Sequence, residues 1–221
     1  MANFIDNKNI VRNFLLFFTW LLFAGAVNST IQQKQLFEKL DYSILEGSRI
    51  SVLGSTNINE FTCFSDEKYS HNKVEFQFDN LKNSIQFKDA ILKVPVVSLD
   101  CGNAAMNSNL CRTLKGDKFP FITVEILQAK SRDGKSLKLS GITTLIANVR
   151  ITMAGESKLH DILFTGKQTS SGQYYFSGLH SLTFSDYHLE PPEALFGLVK
   201  VNDLIAVKFA LNISANVLIV Q

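Results

Sequence analysis

Seven side chains carry most of the chemistry open to this chain: Cys63, Cys101 and Cys111, with His71, His160, His180 and His188. Cysteine and histidine together raise the question of zinc, which takes four ligands at short, recurrent spacings. There is no Cys-x-x-Cys, and the histidines show no ligand spacing, so no metal site is expected. No serine or cysteine occupies a nucleophile motif, and a catalytic triad needs partners that only a fold can assemble. The histidines therefore read as solvated or hydrogen-bonded structural groups, and no catalytic residue is assigned. Asp100, Asp117 and Asp186 read as corner and cap residues. What remains is thiol pairing. In an oxidising compartment three cysteines give one bridge and one thiol left over.

The start of the chain indicates such a compartment. Lys8 and Arg12 precede the uncharged run Phe14–Phe23, and Ala24-Gly25-Ala26 follows as a small-residue cleavage site. That is the pattern of a secretory signal peptide over residues 1–26. The alternative is a retained anchor, but a spanning helix needs about 20 apolar residues. The expected destination is the periplasm or the exterior. Cleavage removes Lys8, Arg12 and Asp6 and takes the formal charge from +2 to +1. Such a balance provides no electrostatic footing for nucleic acid. The remaining length suits one domain.

The elements that must position these residues are mostly strands. After a polar lead-in (27–40), "KVEFQFD" sets Val74, Phe76 and Phe78 against Lys73, Glu75 and Gln77. Such alternation marks a strand with one buried face. "FPFITVEILQA", "GITTLIANVRITMAG", "KLHDILFTGKQ", "QYYFSGLHSLTF" and "DLIAVKFALNISANVLIV" continue the theme, with turns at Asp133-Gly134, Gly155 and Ser170-Ser171-Gly172. Strands joined by hairpin-scale turns argue for an all-β, antiparallel barrel or sandwich over 41–221. One stretch breaks the pattern. Asn103 is a good N-cap, Ala105, Met106, Leu110 and Leu114 form an apolar stripe, and Gly116 stands as a stop. A single helix is expected over about 104–115.

Around that helix the chain resembles a known family. "VPVVSLDCGNAAMNSNLCRTLKGDKFPFITVEI" is similar to the signature of the YceI-like family of exported lipocalin-like proteins. The matching features are Ser98-Leu99-Asp100, Gly102-Asn103, Met106-Asn107, Thr113-Leu114-Lys115 and Phe119-Pro120. "GSTNINEFTC" resembles the family's early segment, and "SDYHLEPPEALFGLVKVNDLIAVKFAL" its late one. The three occur in the family's order between about Tyr42 and Ile213. His188 stands where the family has a small residue, and Ser55-Thr56 where Thr-Ser is commoner.

The resemblance implies a lipocalin-like antiparallel barrel whose apolar interior holds a long-chain amphiphile, isoprenoid quinone-like or fatty-acid-like. No cofactor is required beyond such a lipid, and peripheral membrane contact is compatible with the role. Expected lining residues are Val74, Phe76 and Phe78, then Ile122, Val124 and Ile126. Val149, Ile151, Phe176, Val207 and Phe209 complete the set. With the helix packed across the barrel, a Cys63–Cys101 bridge would tie its entry corner to the strand "NEFTCF" and leave Cys111 as an inert thiol. Cys101–Cys111 is the competing pair. Two other functions stay open. One is a structural or protein-interaction domain with a filled core. The other is an enzyme on a hydrophobic substrate, which would need a polar pair such as His180 with a carboxylate.

Overall fold

The computed structural model describes residues 37–65, 72–79, 81–134, 137, 141–170, 172–194 and 196–218. The leader read over 1–26 and His71 lie outside them, as does the lead-in up to residue 36. Among the described residues no helix is long and apolar enough to cross a membrane.

The first strands are β1 (Glu38–Ile44), β2 (Arg49–Ser55), β3 (Glu60–Ser65), β4 (Asn72–Asp79) and β5 (Ser84–Lys88). Next come β6 (Ile91–Pro95), a 3-10 turn at Val96–Ser98, β7 (Leu99–Asp100) and helix α1 (Ala104–Thr113). Four long strands follow: β8 (Phe121–Ser131), β9 (Thr143–Met153), β10 (Glu156–Ser170) and β11 (Gln173–Thr183). A 3-10 turn at Ser185–Tyr187, the small hairpin β12 (Glu193–Ala194) and β13 (Val199–Lys200), and β14 (Leu204–Leu218) complete the order. The barrel thus begins at Glu38, inside the segment read as lead-in.

Strands β1, β4, β5, β8, β9, β10, β11 and β14 pair in that order, and β14 returns to β1. Every pairing is antiparallel. An all-β, antiparallel barrel of eight strands results, and closure leaves no edge in that ring. A second tier lies below it. There β2 takes over from β1 along the first half of β14, β3 pairs with β2, and β7 pairs with β3. On the far side β6 takes over from β5 along β8. The chain from β6 to β7 therefore carries the wall from β8 across to β3. Two breaks make the tiers possible. The turn at Glu46-Gly47 separates β1 from β2, and left-handed Asp89 separates β5 from β6.

The β3–β7 seam is short, with Phe64 opposite Asp100 and Ser65 opposite Leu99. A disulfide between Cys63 and Cys101 reinforces it, and Cys111 is free. Next to the seam, Asn103 caps α1 by accepting from the N–H groups of Ala105 (2.9 Å) and Met106 (3.2 Å). Asp100 accepts from Gly102 N (2.9 Å) and Asn107 Nδ2 (2.8 Å), while Asn107 Oδ1 accepts from Cys101 N (2.8 Å). These bonds hold the Asp100 carboxyl below its usual range, Asn107 contributing most. Asn103→Ala should cost about 1 kcal/mol and Asn103→Gly only a few tenths. Thermal unfolding followed by circular dichroism would show this as a drop of a few degrees for alanine alone.

The helix differs from expectation in three details. It ends at Thr113, with Leu114 as its C-cap. Lys115, not Gly116, takes the left-handed position, at φ 53°. Gly116 is needed for another reason: a Cβ there would lie 2.6 Å from Cys111 Sγ. Of the expected stripe, Ala105 is exposed, Met106 is half-buried, and Leu110 and the C-cap Leu114 are buried.

Candidate functional site

Register decides which side chains face inward, because directly opposed residues on an antiparallel pair share a face. Along β9, Leu145, Ala147, Val149, Ile151 and Met153 are all buried and define the inner face. Val124 lies opposite Ile151, Ile126 opposite Val149, and Val94 opposite Ile122, so these also turn inward. On β4, Val74, Phe76 and Phe78 share one face by alternation. That face is inner, because Phe78 opposes Ile85, which opposes Ala129, which opposes Ala147. On β11 and β14, Phe176 faces Leu211, Gly178 faces Phe209 and His180 faces Val207. All eleven expected lining residues therefore lie on the inner surface.

They do not lie at one depth. Toward the lower end the interior is solid: Leu182, Phe184, Tyr187 and Ile205 are buried and belong to one core with Val149, Ile151 and Cys63. Val74 and Phe76 are buried as well. Other inward side chains stay accessible. Ile126 keeps 37% of its surface and Phe78 48%, although both face the axis. Descending β11, Tyr174, Phe176, Gly178 and His180 are half-buried, and Leu182 is buried. Descending β14, Leu211, Phe209 and Val207 are half-buried, and Ile205 is buried. The change comes at the same level on both strands, just below His180 and Val207.

The wall above that level is aromatic. Phe164 meets Phe176 edge-on at 6.0 Å between centroids and lies 6.1 Å from Phe209, while Tyr174 stacks on Phe176 at 6.4 Å. Gly178 makes room for two of these rings, since a Cβ there would come 2.7 Å from Phe209 Cζ and 2.9 Å from Phe164 Cβ.

At the level where packing begins, three polar groups meet. His160 Nε2 lies 2.9 Å from the Tyr187 hydroxyl, and His160 Nδ1 lies 3.1 Å from His180 Nε2. The two imidazoles stand edge to face with centroids 5.0 Å apart. Burial pushes the His180 pKa down, helped by repulsion from His160. Burial also pushes Tyr187 up to about 12, with a smaller contribution from Asp186. Among the described residues no carboxylate hydrogen-bonds either ring. None of their His, Cys, Asp and Glu side chains form a group of three or more able to hold a metal.

The contact between these histidines is not among the expectations drawn from the sequence. A signal was present, because His160 is in phase with Ile162 and Phe164, and His180 with Phe176 and Leu182. His188 is exposed, 3.8 Å from Glu156.

Sequence comparison finds no matching family model and no matching curated protein. Solved structures do match. A polyisoprenoid-binding domain from Saccharophagus degradans, implicated in plant cell wall breakdown, superposes with a TM-score of 0.56 at 13% identity, covering 79% of this chain and 98% of its own. BcnA of Burkholderia cenocepacia gives a TM-score of 0.52 at 17% identity, covering 75% and 95%. The fold implied by the sequence resemblance is the fold these two structures share with this chain.

Proposed function

We propose that the protein is an exported, non-catalytic binding protein that shelters the apolar tail of a long-chain amphiphile inside its barrel. One observation supports this reading: apolar side chains on the inner face of a closed ring of strands, Phe78 and Ile126 above all, keep accessible surface. A side-chain-filled interior would bury them. Burial of apolar area contributes about 25 cal/mol per Å2, so a few hundred Å2 of tail supplies several kcal/mol before ordering costs. An isoprenoid or quinone-like tail suits an aromatic wall, and the name of the Saccharophagus domain points the same way. The Cys63–Cys101 bridge fits the oxidising destination that the leader implies.

Organic extraction of natively purified protein, followed by mass spectrometry, should release a long-chain lipid in near-stoichiometric amount. Repeated extraction without one would defeat the proposal, and a filled interior would then leave a structural or protein-interaction domain.

A further inference from the structure

The polar chain at the base of the accessible interior has a direction, and Tyr187 sets it. Its side chain is fully buried, at 0% exposure, and His160 is the hydrogen-bond partner of its hydroxyl among the described residues. Were Tyr187 to accept from His160, its own proton would be buried without an acceptor, which costs the full desolvation of that donor. The hydroxyl therefore donates to His160 Nε2. Imidazole then carries its proton on the other nitrogen, so His160 Nδ1–H donates to His180 Nε2. His180 in turn must hold its proton on Nδ1. That nitrogen has no hydrogen-bond partner among the described residues. Desolvation, which lowers the His180 pKa, favours the same neutral ring.

The free N–H belongs to the residue at which half-buried wall gives way to packed core. His180 lies on the inner face opposite Val207, with half-buried Gly178 above it and buried Leu182 below. A donor polarised by two preceding hydrogen bonds, on an inner face that is otherwise apolar, is a recognition group for an oxygen that only accepts. Resting on the carrier reading above, we infer that His180 Nδ1–H binds the polar end of the ligand, which enters head first and presents a carbonyl-type acceptor oxygen. Tyr187 and His160 are positioning residues that fix the tautomer.

The test uses the mature protein and two probes with identical tails, 2-decyl-1,4-benzoquinone and decylbenzene, each displacing the fluorescent apolar reporter N-phenyl-1-naphthylamine. The quinone should bind about tenfold tighter, the value of one net hydrogen bond of about 1.4 kcal/mol. His180→Leu should bring the ratio close to one. His180→Asn, whose amide nitrogen occupies the Nδ1 position, should restore most of it. Tyr187→Phe should lower the ratio without removing a group that touches the probe. Proton-detected nitrogen spectra of the unsubstituted protein provide a check that needs no variant to fold, and should place the His180 proton on Nδ1. A ratio near one in the unsubstituted protein, a ratio unmoved by His180→Leu, or a proton on His180 Nε2 would each overturn the inference while leaving the carrier reading intact. Failure of the protein to bind the reporter or either probe would overturn the carrier reading itself.

Discussion

Replacing both Cys63 and Cys101 by alanine should lower the midpoint of thermal unfolding by about 10 °C. The bridge closes a loop with a sequence separation of 38. Loop-closure entropy for that length corresponds to about 4 kcal/mol, toward the upper end of what single disulfides deliver. In a domain of this size each kcal/mol moves the midpoint by roughly 2–4 °C. The location makes the loss hard to recover. The bridge reinforces the β3–β7 seam, where only two residue pairs face each other, and Cys63 is completely buried within the core. Calorimetry on the oxidised protein, the reduced protein and the double variant is the measurement. Reduction should reproduce the double variant, and the variant itself should no longer respond to reductant. A midpoint within about 2 °C of the original would show that the seam holds without its covalent tie.

Filling the accessible part of the interior should abolish lipid retention at little structural cost. Ile126 lies on the inner face yet stays 37% exposed, so Ile126→Trp sets a bulky ring against the space that the carrier reading requires. Overpacking a solid core costs about 1–3 kcal/mol. In a hollow the same change should cost well under 1 kcal/mol, while lipid recovered per mole of protein falls at least tenfold by the area argument. The two readouts separate the readings. Lost lipid with retained stability supports the carrier proposal. Retained lipid with lost stability would place Ile126 in ordinary core and remove the observation on which that proposal stands.

The strands were legible because a half-buried strand writes its burial into every second residue, as Val149 and Ile151 do in β9. The helix was legible because Asn103 is chemically suited to one position, the N-cap. Depth along the barrel was not legible. Val149 and Phe209 follow the same alternation, yet one is in packed core and the other half-accessible, since a period of two reports the face and not how completely that face is covered. The breaks at Glu46-Gly47 and Asp89 were hidden for a related reason: "YSILEGSRISVLG" and "SIQFKDAILKVPV" each stay strand-like while serving two tiers. The polar chain lay beyond reach because His160 and His180 meet through the pairing of β10 with β11, and Tyr187 through a turn below it. Sequence order alone also left two cysteine pairings open.

The double role of β14 governs when the molecule can take shape. Its second half pairs with β1, its first half with β2, and its other flank with β11. Residues near 40 thus wait for residues near 217, and residues near 50 for residues near 208, before the two tiers can close. Contacts of such long separation form late and slowly. Until β14 arrives the apolar wall has no lid of its own making. A chain of this design stays open until β14 has been made and paired on both flanks.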